Sequence, residues 1–190
     1  MNEHAEELQP ILWLDLEMTG LDPMKDRILE VASLVTDQEL NLLAEGPHLI
    51  LQQDPNLFHS MDDWNRNHHT QSGLWQKAIT STIQLAEAEE IFLTFIKKYF
   101  PKGKGCLAGN TIWQDRRFIM QHMKRVDSYL HHRMLDISSI KILCKSWYPK
   151  YSFKKKDAHR AQDDILESLH ELKFYREHIF IKKEQARGIQ

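Results

Sequence analysis

The chain has 190 residues, of which 42% are hydrophobic and 27% charged, and its formal net charge is −2. That make-up fits one ordinary globular domain spanning residues 1–190, with a folded core expected over about residues 8–181. Near-neutral charge excludes a broad basic face that coats long nucleic acid, so a nucleic-acid ligand should be short or gripped locally. The start Met1-Asn2-Glu3-His4-Ala5-Glu6-Glu7 is acidic and polar, and no apolar run approaches membrane-spanning length. A cytoplasmic protein with no membrane contact is expected. Cys106 and Cys144 lack metal-knuckle spacing and read as two reduced, partly buried thiols.

In chain order, strands are predicted over Ile11–Leu16, Ile28–Thr36 and Leu42–Leu51, parted by Gly20-Leu21-Asp22-Pro23 and Asp37–Asn41. Connections this short favour an antiparallel meander. Helical character begins at Met61, weakly over Asp62–Asn67 and strongly over Ile83–Phe100, where Pro101 ends it. A short strand, Cys106–Gly109, leads through Asn110 to a helix at about Gln114–Lys124. Met134–Ile137 is a further short strand, and a helix follows from Ser138 to Trp147. Tyr148–Ala158 reads as a loop, and a last helix runs from about Arg160 to Glu177 with Ile165, Leu169 and Leu172 on one face. The order predicts an α/β fold, a mixed five-stranded sheet flanked by helices, which matches the ribonuclease H-like arrangement.

The run Trp13-Leu14-Asp15-Leu16-Glu17 places two carboxylates two residues apart inside an apolar strand. Strand side chains alternate, so Asp15 and Glu17 share one face. Two like charges held this close raise each other's pKa unless a cation lies between them, and a hard divalent ion is the usual answer. Asp115 stands near a helix start after an apolar strand. Alone it reads as a first-turn carboxylate favourable to the helix dipole, but beside Asp15 and Glu17 it reads as a ligand. His159 and Asp164 stand near the start of the last helix. Five residues on one helix put side chains about 140° apart, so His159 must swing in from the loop if it serves a site anchored by Asp164. Asp163 is the rival ligand, and helix geometry alone does not choose between them.

Asp15-Leu16-Glu17, Gly109-Asn110 with Asp115, and His159-Arg160-Ala161-Gln162-Asp163-Asp164 resemble the three motifs of the DEDDh 3′→5′ exonucleases. More narrowly, Asp15–Pro23, Met61-Asp62-Asp63-Trp64-Asn65, Gln114–Phe118 and Tyr175-Arg176-Glu177-His178 resemble the oligoribonucleases, and the likeness extends from about Ile11 to Ile181. The family pattern His-x₄-Asp implies Asp164 rather than Asp163. The resemblance further implies that Asp15, Glu17, Asp115 and Asp164 hold two divalent cations, Mg²⁺ or Mn²⁺, around a scissile phosphate. His159 would accept the proton of the attacking water, and the product would be a nucleoside 5′-phosphate.

By themselves Leu21 reads as a turn residue tucked into the core and Trp64 as a helix-packing aromatic. The resemblance instead implies that Leu21 wedges between bases and that Trp64 and His69 line the nucleotide, in a short RNA. It likewise implies that Thr111, Arg133 and Ser138 cap a 5′-phosphate. Two departures stand out: Thr111 where serine is common, and His132 where a tyrosine from the second subunit of a homodimer is common. Lys154-Lys155-Lys156 reads equally as solvated surface or as a phosphate-attracting run. Trp147, Tyr148, Tyr151 and Phe153 read as an aromatic cluster of core or interface, and the resemblance to a homodimeric family implies the interface.

Overall fold

The computed structural model describes residues 9–154 and 161–181. Five strands form one sheet: β1 (Ile11–Met18), β2 (Ile28–Thr36), β3 (Leu42–Ile50), β4 (Cys106–Gly109) and β5 (Met134–Asp136). Their order across the sheet is β3-β2-β1-β4-β5. The β1–β2 and β2–β3 pairs are antiparallel, as the short connections required, whereas β4 and β5 add in parallel beyond β1. Strand β1 is therefore central, paired antiparallel on one side and parallel on the other. The seven helices of the described residues are α1 (Asp63–Gln71), α2 (Leu74–Thr80), α3 (Leu85–Ile96), α4 (Ile112–His122), α5 (Lys124–Asp127), α6 (Ile137–Trp147) and α7 (Ala161–His178).

Alternation along β1 divides the core. Leu12, Leu14 and Leu16 point into a layer closed by Phe92 and Ile96 of α3 and Phe118 and Ile119 of α4. Ile11 and Trp13 point the other way, into a layer closed by Ile137 of α6 and Ile165, Leu169 and Tyr175 of α7. Both layers exclude water almost completely, each large side chain contributing roughly 1.5–3 kcal/mol of burial. The indole N–H of Trp13 is satisfied within its layer by Thr36 Oγ1 at 3.0 Å. Asp15 and Glu17 continue the Ile11–Trp13 face, so they emerge on the side on which α7 packs.

The predicted elements match closely, with three additions. A 3₁₀ turn over Pro55–Ser60 is capped by Asp54, whose side chain accepts from the Asn56 N–H. Helix α2 follows Gly73 in the left-handed region, φ 71°, and α5 is a single turn. These segments are too short to show periodicity, and only the 3₁₀ turn carries a side-chain cap. The predicted Ile83–Phe100 helix is shorter, because the Ile83 carbonyl is used by the Gln52 N–H and the chain tightens into turns after Ile96. Cys106 is partly buried and Cys144 is buried, both as free thiols. No helix among the described residues is long and apolar enough to cross a membrane.

Candidate active site

Asp15 and Glu17 lie toward the carboxyl end of the central strand, which has an antiparallel neighbour on one side and a parallel one on the other; open sheets of this kind bind ligands beyond such ends. Asp115 arrives from the first turn of α4, which begins directly after β4. Gly109, the last residue of β4, lies so close to β1 that an added Cβ would meet the Leu14 carbonyl oxygen at 2.8 Å. That approach brings Asp115 Oδ1 to 2.9 Å from the backbone N–H of Leu16, between the two β1 carboxylates in sequence. Asp164 enters from the first turn of α7. Ligand oxygens of Asp15, Glu17 and Asp164 all lie within 4.8 Å of one another.

The structure chooses between the two adjacent aspartates of α7. Asp163 is exposed, whereas Asp164 is partly buried against β1. A fifth carboxylate, unforeseen from the sequence, also belongs here. Glu30 of β2 stands directly across from Glu17, is 6% exposed, and is held by His48 Nε2 of β3. Its signal was the same as that of Asp15: a charge inside a wholly buried apolar strand.

So much negative charge in so little water is costly. Burial first, then Asp115, Glu17, Asp164 and Glu30, push the Asp15 carboxyl well above the usual range. Burial, then Glu30, Asp164 and Asp115, push Glu17 up to about 8. Burial raises Asp115 too, against the pull of the Leu16 N–H and its own. A set of carboxylate oxygens from three elements, with Asp15 and Glu17 made reluctant to ionise by burial and by their acidic neighbours, fits a hard divalent cation, which removes the repulsion when bound. His159, the expected proton acceptor, lies outside the described residues, as do Lys155 and Lys156.

Around the carboxylates the expected substrate residues fall into two groups. Leu21 is 70% exposed and Trp64 67% exposed, so neither is a core residue. The Leu21 loop is nonetheless well anchored. Asp26 accepts from Thr19 Oγ1 and from the Asp22 N–H, both at 2.9 Å, and Gln114 of α4 donates to the Leu21 carbonyl at 2.7 Å. A Cβ on Gly20 would fall 2.5 Å from the Asp26 carboxylate, so glycine is what lets this clamp close. The Trp64 ring stacks on His68, centroids 4.8 Å apart at 8°. His69 is 1% exposed, with Nε2 2.8 Å from the Met18 carbonyl.

The second group lies where β4, β5 and α6 meet. Thr111, at φ 56° in the left-handed region, is exposed, and its hydroxyl is 3.1 Å from that of Ser138. Asp136 Oδ1 accepts from both the Thr111 and Ser138 N–H groups, tying the two residues to one carboxylate. Arg133 is exposed just before β5, and His132 is exposed and stacked on His131 at 4.2 Å. Beneath the two hydroxyls lies Asn110, whose Oδ1 accepts from Ser138 Oγ and whose Nδ2 donates to Ser168 Oγ at 2.8 Å and to the fully buried Glu171 at 3.2 Å. Ser168 in turn donates to the Asp164 carbonyl. Asn110 thus links the hydroxyl pair to the helix that carries Asp164, a link that a motif match could mark but not explain.

Residues 12–172 match the family model described as Exonuclease. The mitochondrial oligoribonuclease of Mus musculus is 49% identical over 178 residues, covering 92% of this chain and 75% of that protein. The oligoribonuclease of Pseudomonas aeruginosa is 49% identical over 176 residues, covering 92% and 97%. Among solved structures, E. coli exonuclease I in complex with a dT13 oligonucleotide superposes with a TM-score of 0.71 at 16% identity, over 91% of this chain and 42% of that one. Exonuclease I of Methylocaldum szegediense gives 0.67 at 19%, over 90% and 41%. The chain spans only about two fifths of those exonuclease I chains, which at this identity share its ribonuclease H-like fold. With identity near one half over nearly all its length, the chain belongs to the oligoribonucleases, the 3′→5′ exoribonucleases of the exonuclease family.

Proposed function

We propose that the protein hydrolyses short oligoribonucleotides, above all 5′-phosphorylated dinucleotides, from the 3′ end to nucleoside 5′-monophosphates. The observation that carries this reading is the convergence of Asp15, Glu17 and Asp164, with Asp115 tied to the Leu16 N–H of the same strand, in a chain that also exposes an apolar pair, Leu21 and Trp64, and joins two hydroxyls, Thr111 and Ser138. Asp15, Glu17, Asp115 and Asp164 would hold two divalent cations, Mg²⁺ or Mn²⁺. When bound, these ions supply the Lewis acidity that activates water and stabilises the leaving 3′-oxygen. Leu21 and Trp64 grip the bases by apolar contact and stacking, worth roughly 1–3 kcal/mol per base. Thr111, Ser138 and Arg133 receive the terminal phosphate, whose charge the Arg133 fork matches. His159 takes the water's proton, a task suited to a group that titrates near neutrality.

Homodimer formation belongs to the same reading. Exposed apolar side chains gather at the β5 edge of the sheet and on its neighbours: Met134 of β5, Trp113 and Met120 of α4, and Ile142, Leu143 and Trp147 of α6. Association through a second copy would cover them. Purified protein with Mn²⁺ and a series of 5′-phosphorylated oligoribonucleotides tests the whole. Mononucleotide release that falls steeply as the substrate lengthens beyond a dinucleotide is expected; no release from any length refutes the proposal. Light scattering that finds only monomer refutes the dimer.

A further inference from the structure

The carboxylate site does not account for a second group of ligand atoms beside it. One ligand atom each from Glu17, His68 and His69 lie within 4.8 Å of one another. Helix α1 makes this possible: its last turn carries both histidines, and their rings meet edge to face with centroids 5.3 Å apart. The two rings are held to different degrees. His68 is flat against Trp64, and His69 is packed to 1% exposure.

His69 carries the independent observation. The Met18 carbonyl can only accept, so Nε2 carries the proton and donates to it at 2.8 Å. Nδ1 is then a lone pair, and it is buried with no hydrogen-bond partner. A buried acceptor left unsatisfied costs about 1–3 kcal/mol, so such an atom calls for a ligand. A histidine whose other nitrogen donates to a backbone carbonyl is the usual arrangement of a metal-binding imidazole, because that bond fixes the tautomer and the ring.

We propose that Glu17, His68 and His69 form a second cation site, for Zn²⁺ rather than Mg²⁺ or Mn²⁺, whose occupation withdraws Glu17 from the Asp15–Glu17–Asp164 set and inhibits the enzyme. Two imidazoles and a carboxylate suit a borderline ion, whereas the all-oxygen set suits a hard one. Bonds of about 2.0–2.1 Å in a tetrahedron place ligand atoms about 3.3 Å apart, so a trio already within 4.8 Å closes by at most about 1.5 Å. Glu17 and His68 are only partly buried and can turn to do so. Because Glu17 serves both sets, the two occupations exclude each other. The inhibition rests on the metal-dependent hydrolysis proposed above; the zinc site itself does not.

Binding and activity are measured separately. Co²⁺ added to the full chain should give the intense visible bands of a tetrahedral ion with nitrogen ligands. The bands should be lost in His68→Ala and His68→Gln and kept in Asp164→Asn. Zn²⁺ titrated against a chromophoric chelator should bind the His68 variants at least tenfold more weakly than the parent. With Mn²⁺ and a 5′-phosphorylated diribonucleotide, each rate scaled to its own zinc-free value, the His68 variants should need at least tenfold more Zn²⁺ for half inhibition. Equal zinc affinity in the parent and both His68 variants, with loss in Asp164→Asn, places zinc in the oxygen set and overturns the proposal. If the parent protein itself does not hydrolyse RNA, the function reading fails while the Co²⁺ bands still decide the site.

Discussion

Replacing Glu17 by glutamine should stabilise the metal-free protein while abolishing its use of divalent ions. Glu17 is pushed from 4.5 up to about 8 by burial and by Glu30, Asp164 and Asp115. A carboxyl whose folded pKa is raised contributes stability that is fully present below its unfolded value and lost as pH rises through the folded value. For Glu17 the loss therefore runs from about pH 4.5 to about pH 8. The full shift is worth at most about 5 kcal/mol at 1.36 kcal/mol per unit. Solvent reaching the partly buried carboxylate screens much of that, leaving about 2 kcal/mol. Glutamine has no charge to lose, and the change also removes one of the groups that raise Asp15. In a chelator-containing buffer, scanning calorimetry should show Glu17→Gln melting about 4–8 °C above the parent near pH 9, with the gap closing toward pH 5. Saturating Mn²⁺ should reverse the order, since a hundredfold excess over Kd adds about 2.7 kcal/mol to the parent alone. A variant that melts at or below the parent at the alkaline end in chelator would show that the carboxylates do not strain the fold.

Four further outcomes follow from the geometry. Asp164→Ala should lower kcat by at least about a thousandfold, while Asp163→Ala, altering an exposed side chain, should leave it within about twofold; equal losses in steady-state assays would refute the assignment of Asp164. Asp26→Ala should release the Leu21 loop by removing the acceptor of the Thr19 hydroxyl and the Asp22 N–H, raising KM several-fold with Tm lowered by only a few degrees. Asn110→Ala should leave Glu171 and Ser168 short of a partner, costing about 1–3 kcal/mol in denaturant titrations. It should also narrow the rate advantage of a 5′-phosphorylated dinucleotide over the unphosphorylated one, and an unchanged ratio would confine Asn110 to stability. Removing divalent ions with a chelator should abolish hydrolysis reversibly, and persistent turnover in chelator would exclude a metal-dependent reaction.

Local pattern in the sequence determined much of this protein. Alternation along Ile11–Glu17 placed both carboxylates on one face, and turn residues, apolar periodicity and Pro101 marked the strands and longer helices, because those signals depend only on neighbours a few residues away. Tertiary packing decided the rest. Asp163 and Asp164 differ by one step of a helix, and only the docking of α7 on β1 turned Asp164 inward. Leu21 and Trp64 carry the same apolar character as core residues, and their exposure follows from the clamp at Asp26 and the position of α1. The bond from the Leu16 N–H to Asp115 joins residues 99 apart, and the Asn110 links to Ser168 and Glu171 span 58 and 61. The His68–His69 pair joins the site by the same kind of approach, His69 bonding Met18 51 residues away. Chain separation of that size leaves no periodic trace, so those partners became visible only once the sheet and its helices had brought them together.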